Sequence, residues 1–288
     1  MVLGSAAAFG TLPILIKYAY ATGLSPLQAL AIRFLLAALG LHLLALLRGE
    51  RVLQLGARRI GQFLLLGGAG YSAQAVTFFA ALCCLSASLV ELIAYIYPSL
   101  VTVGAWLLFR RRIGIRRALA LAVSFGGLAL LVGGGARLAI GLPLVLALAS
   151  PLVYSGYILA GEHLMRTASV LSASALVHTG TCLSLLALLL ATHQPVLSRN
   201  PASWPVLVLL AIVPSMVAIS LFLAGLARVG APQASLLSTV EPVVTVALAA
   251  WLLGDRLAPA QLLGAAAVVL SVIVVQLGTE SPSRRRPA

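Results

Sequence analysis

Residues 67–98 align without a gap to residues 211–242 at an offset of 144, pairing Phe78 with Phe222, Leu82 with Leu226 and Pro98 with Pro242. Residues 6–18 match 151–163 at an offset of 145, which also sets Arg33 against His178. One unit is therefore written twice in the chain. Each copy holds an odd number of apolar runs, so in a bilayer the second copy must enter upside down relative to the first. An inverted repeat of this kind is a common plan for secondary transporters.

The case for a bilayer comes from composition. With 61% hydrophobic residues, 9% charged residues and a mean hydropathy of +1.11, the chain has too little polar surface to cover a water-soluble globule. Crossing the hydrocarbon takes ~20 apolar residues, and ten runs qualify: 2–21, 27–47, 60–81, 86–108, 117–135, 140–162, 172–192, 204–226, 230–253 and 258–278. No run alternates polar and apolar residues as a barrel strand would. The sequence thus predicts an all-α integral membrane protein of ten transmembrane helices in two inverted five-helix repeats. The first repeat spans residues 1–137 and the second 138–278. Residues 279–288, with Pro282, Pro287 and three arginines, read as a disordered cytoplasmic tail.

A net charge of +13, with Arg110, Arg111 and Arg112 followed by Arg116 and Arg117, raises nucleic acid as a partner. The placement of the charges argues against it. Fourteen of the nineteen Lys and Arg residues fall on one side of the expected membrane: Arg48, Arg51, Arg58, Arg59, the five just named, Arg166, Arg228, and Arg284 to Arg286. Arg137, Arg199 and Arg256 fall on the other side, and Lys17 and Arg33 lie within spans. The positive-inside rule puts both termini in the cytoplasm of a multi-pass inner (plasma) membrane protein, with anionic lipid as the partner of the basic loops. The N-terminus lacks a basic n-region and is half of the repeat, so it is expected to be a span and not a removable leader. Cys83, Cys84 and Cys182 give no disulfide framework.

Polar residues at membrane depth are the candidates for function. Glu241 lies ~15–17 Å inside its span and Glu91 ~8 Å inside its own. An ionised carboxylate near the midplane costs at least ~2.5–3.5 kcal/mol. Three compensations for Glu241 are open: pairing with Arg33 or Lys17, facing a wet cavity, or carrying a proton, which makes proton coupling a possibility. Ser88, Glu91, Tyr95 and Ser99 share one helical face. Tyr71, Gln74 and Phe78 share another, and their repeat counterparts include Ser215, Phe222, Ser235 and Thr239. We take Tyr71, Gln74, Phe78, Ser88, Glu91, Tyr95, Ser215, Phe222, Ser235 and Thr239 as candidate substrate-binding residues. Glu241 and Arg33 are the buried charges. Arg33 either reaches the outer headgroups or pairs with an acidic residue or a substrate carboxylate. Pro98 and Pro242, twelve or thirteen positions into matched spans, each remove a backbone hydrogen bond and clash with the carbonyls of Ala94 and Ser238. Both helices should kink there, as hinges.

Several classes are excluded. There is no G-x-x-x-x-G-K-S/T phosphate loop, no G-x-S-x-G elbow and no H-E-x-x-H spacing among His42, His163, His178 and His193. No metal, cofactor or catalytic group is expected.

The stretch from Leu237 to Leu257, with Glu241-Pro242, Gly254-Asp255-Arg256 and then Gly264, resembles the drug/metabolite transporter superfamily and, within it, the ten-helix EamA-type permeases. Similar signals are Arg33-Phe34, Phe9-Gly10-Thr11 and Tyr97-Pro98. The chain departs from that pattern at Asp255, where Glu is more usual, at Arg111, which takes an acidic position, and at Ser271, where glycine is more usual. The resemblance implies a plasma-membrane exporter or permease for small metabolites, often amino acids, working without ATP. The reading at this stage is a secondary transporter of small amphipathic metabolites, amino acids favoured, by alternating access and with export favoured. It would work as a monomer or homodimer. An exporter of drugs or sugar/nucleotide-type metabolites, a passive channel and a membrane-embedded lipid-modifying enzyme are the alternatives.

Overall fold

A computed structural model describes residues 1–50, 52–110, 114–133, 141–161, 164, 168–222, 225, 237–238 and 240–277. Among them regular structure is helical throughout. Seven helices are long and apolar enough to cross a membrane: α1 (Val2–Ala21), α2 (Pro26–Leu47), α3 (Ala57–Leu82), α4 (Ala87–Leu108), α6 (Leu142–Gly161), α7 (Val170–Ala191) and α8 (Ser203–Phe222). Three more have shorter apolar stretches: α5 (Ile115–Gly133), α9 (Val240–Leu253) and α10 (Pro259–Leu277).

Local chemistry sets where these helices start and stop. Ser25 opens α2 with a capping box, its hydroxyl accepting from the Gln28 amide while Gln28 accepts from the Ser25 amide, and Pro26 fills the first turn, where no N–H is needed. Ser86 and Ser169 cap α4 and α7 in the same way, accepting from the amides of Leu89 and Ser172. Gly254, at φ +70°, ends α9 in the left-handed region.

Prolines and glycines decide where helices break. Around Pro98, α4 divides into Ala87–Ala94 and Tyr97–Phe109. The proline sits in the first turn of the second piece, where it needs no donor. Pro242 lies in α9 and residues 237–238 ahead of it are helical as well, while Thr239 between them lies outside the described residues, and with it the expected kink at Pro242. α1 breaks at Thr11, ahead of Pro13, and the Thr11 hydroxyl donates to the Ala8 carbonyl at 2.7 Å. α3 and α8 each contain a widened π-turn, Leu66–Tyr71 and Ile212–Val217. The first holds three glycines and the second Pro214, whose missing N–H a π-turn accommodates.

Packing follows small residues. α3 crosses α7 so closely that a Cβ on Gly67 would stand 2.0 Å from the Val177 carbonyl oxygen, and one on Gly180 would stand 2.1 Å from that of Leu64. Thr181 Oγ1 donates across the crossing to the Gly67 carbonyl at 3.0 Å. α5 and α10 meet at Gly127 and Gly264, and α1 meets α9 at Gly10, whose carbonyl accepts from Thr245 Oγ1 at 3.0 Å. With lipid as apolar as leucine, close backbone approach and hydrogen bonds hold such helices together. α3 lies along α6 as α8 lies along α1, α4 meets α6 as α9 meets α1, and α2 packs on α7 as α5 packs on α10. Leu39, Leu43, Leu46 and Leu47 stand exposed toward one end of α2, whereas residues 28–34 at its other end are buried.

Candidate functional site

α2 carries Arg33 to the interior, where it is only 3% exposed. Its Nε donates to Ser215 Oγ at 3.0 Å, and Ser215 in turn donates to the Leu210 carbonyl at 3.1 Å, a contact opened by the π-turn of α8. The guanidinium carbon lies 5.0 Å from the Phe34 ring centre and 5.8 Å from that of Phe79. The headgroup-reaching orientation of Arg33 is thus not adopted. Among the described residues no carboxylate pairs with it, and its remaining donors have no protein partner. A guanidinium stripped of water and counter-ion is unfavourable by several kcal/mol, and the side of Arg33 away from Ser215 faces the adjoining space.

That space is a cavity of about 170 Å³. Its wall combines Phe9, Arg33 and Tyr71 from the first half of the chain with Tyr154, Tyr157, Ser174, Val177, His178, Pro214, Ser215 and Ile219 from the second. His178 is fixed by donation from Nδ1 to the Ser174 carbonyl at 2.8 Å and packs on Phe34 and Tyr71, with ring centres 5.3 and 5.9 Å away. Tyr71 faces Tyr157 at 5.3 Å, Tyr154 stacks parallel on Tyr157 at 5.7 Å, and Tyr97 meets Tyr154 edge-on at 4.9 Å. Tyr95 continues the ladder, 6.0 Å from Tyr97.

The two deep carboxylates stand beside this ladder, Glu91 by Tyr95 and Tyr97 and Glu241 along more of its length. Glu91 and Glu241 are within electrostatic reach of each other and of Tyr95 and Tyr97, and Glu241 also reaches Tyr71. Tyr71 is therefore in the field of both Arg33 and Glu241. Among the described residues neither carboxylate has a hydrogen-bond or ion-pair partner, so the pairing of Glu241 with Arg33 or Lys17 is not formed.

The cavity gathers Arg33, Tyr71 and Ser215 and leaves the other candidates elsewhere. Gln74 donates to Ser150 Oγ at 3.3 Å, and Phe78, 5% exposed, packs into the core beside Phe79. The Ser88 amide donates to Asp255 Oδ2 at 3.1 Å, while its hydroxyl is buried without a partner among the described residues. Phe222 is half-buried near the end of α8, away from the cavity wall. Ser235 and Thr239 lie outside the described residues. Sequence reasoning left His178, Tyr154, Tyr157, Ser174 and Phe9 outside the set of candidate binding residues. One signal was available: His178 is the repeat counterpart of Arg33, the one buried cation already singled out.

The sequence profile of the EamA-like transporter family matches residues 1–133 and 141–277. A solved crystal structure that is 23% identical superposes with a TM-score of 0.66, covering 96% of this chain and 95% of its own, a likeness of fold. No curated protein matches the chain.

Proposed function

The chain belongs to the EamA-like transporter family, whose members are membrane transporters and not enzymes, and from that premise we propose a secondary transporter of small amphipathic metabolites that bear a carboxylate, amino acids foremost. The observation that carries this reading is Arg33, buried, held on one side by Ser215 and open on the other to a cavity shared by both halves. A ligand carboxylate would accept from the free guanidinium donors bidentately, with the tyrosines and Phe9 receiving its apolar part. At about 170 Å³ the cavity is smaller than the roughly 300–1,000 Å³ of drug-sized sites, which favours a compact metabolite over drugs or sugar/nucleotide-type cargo.

Alternating access in this reading is a rocking of two inverted five-helix halves, ten spans in all, about Pro98 and Pro242. The sequence match at an offset of 144 and the echoed helix pairings support it, and so does the break of α4 at Pro98. The basic loops support an inner-membrane orientation with cytoplasmic termini. Glu91 and Glu241, close to each other and without partners among the described residues, are the groups that would exchange a proton for cargo, with export the direction we favour.

The test is reconstitution in liposomes with a panel of labelled amino acids, sugars, nucleosides and cationic drugs, with and without a pH gradient. Saturable, gradient-sensitive flux of amino acids is the expected result. Flux of sugars or drugs alone would overturn the cargo assignment, and flux that never saturates would point to a channel.

A further inference from the structure

A second, larger hollow lies outside the Arg33 cavity. Between α3 and α6 runs a groove of about 740 Å³. On α3 its wall runs from Arg58 through Gln62 and Leu65 to Ala69, about 16 Å along the helix axis. On α6 it is floored by Gly156 and Ala160, which leave room because they are small. Leu65 is 70% exposed, and Ala69, Gly156 and Ala160 are exposed as well, so the groove is open along its side and is not a closed channel. Beyond Gln62 the lining offers almost nothing for water to bond. In a membrane, an open apolar crevice of that kind is filled by an acyl chain.

The end of the groove is different. Arg58 and Arg59 stand exposed in the first turn of α3, with Gln62 one turn further in. α3 is 26 residues long, more than the ~20 needed to span the hydrocarbon, so its first turn reaches headgroup level. A basic pocket between membrane helices with an apolar trough below it has the chemistry of an anionic lipid site. We propose that this groove binds one anionic phospholipid, its phosphate on Arg58, Arg59 and Gln62 and an acyl chain along Leu65, Ala69, Gly156 and Ala160. On the orientation proposed above, this is a lipid of the cytoplasmic leaflet, and the reverse orientation would change the leaflet but not the chemistry. Tyr157 lines both the groove and the Arg33 cavity, so the bound chain packs the outer side of a cavity wall.

The experiment uses the purified full chain in phosphatidylcholine vesicles containing phosphatidylglycerol, with spin-labelled versions of the two lipids as probes. The motionally restricted fraction of each label is read by electron paramagnetic resonance. The wild type should hold phosphatidylglycerol in preference to phosphatidylcholine, and R58Q/R59Q should lose that preference by about fivefold per arginine. G156L keeps both arginines and fills the trough, where no atom lies within 4 Å of the new Cβ. It should lower restricted phosphatidylglycerol without lowering the melting temperature. Equal association of both lipids with the wild type, or a preference untouched by both variants, would overturn the proposal. Lipid association is read without cargo, so its failure and that of the transport reading are separable.

Discussion

Arg33 Nε donates to Ser215 Oγ at 3.0 Å, and Ser215 is the counterpart, 144 positions on, of Tyr71, which lines the same cavity. Each of the two sits in a widened turn, Leu66–Tyr71 on α3 and Ile212–Val217 on α8. Widened turns shift side chains off the ordinary helical register and recur at functional positions. One copy of the unit supplies an aromatic wall and the other the anchor of a buried cation.

Arg33→Gln should weaken binding of a carboxylate cargo by roughly ten- to a hundredfold, the range of one or two hydrogen bonds to charge. Arg33→Lys should not restore it, because an ammonium cannot hold Ser215 and offer a planar fork to the cargo together. Concentration-dependent uptake in proteoliposomes, with melting temperature as the control for folding, reads both effects. Unchanged affinity in the Gln variant would remove Arg33 from the site.

Glu241→Gln should abolish the pH dependence of transport while leaving folded yield intact. Glutamine keeps the shape of the side chain and cannot exchange a proton. Uptake across a range of pH on both sides of the vesicle is the measurement, and an unaltered profile would count against a coupling role.

Gly180→Ala should destabilise the fold by about 1–3 kcal/mol, because the added methyl meets the Leu64 carbonyl, a backbone atom that cannot swing aside. Gly126→Ala, where nothing lies within 4 Å, should leave stability unchanged or slightly raised. Thermal unfolding in detergent followed by size-exclusion chromatography distinguishes the two.

Asp255→Ala should cost about 0.5–2 kcal/mol, since Asp255 Oδ2 accepts the Ser88 amide in the first turn of α4, where a negative charge also meets the helix dipole. Asp255→Asn, which keeps an accepting oxygen, should fall between wild type and Ala in the same unfolding assay. Asp255, which stands where the family more usually has Glu, thus ties the end of α9 to α4.

Much of the scaffold was legible. The expected break at Pro98 is present, because a proline lacks its donor wherever it stands, and the spans near 2–21 and 27–47 correspond to α1 and α2 within a few residues. The site was legible only in part. Phe78 and Gln74 share a helical face with Tyr71 in sequence, but the π-turn ending at Tyr71 changes the register just before them, and they turn to the core and to Ser150.

By itself the sequence determined membrane residence, the helical class and the break at Pro98, since apolar length and backbone chemistry are local and additive. Only the tertiary structure decided which polar groups meet. Arg33 and Ser215 are 182 residues apart, and while His178 is marked as the repeat counterpart of Arg33, Tyr154 and Tyr157 carry no mark that separates them from tyrosines elsewhere. In a bilayer the face toward lipid and the face toward protein are equally apolar, so periodicity does not announce the inward side. Helix crossings at Gly67, Gly180 and Gly10 set that side, and with it the cavity.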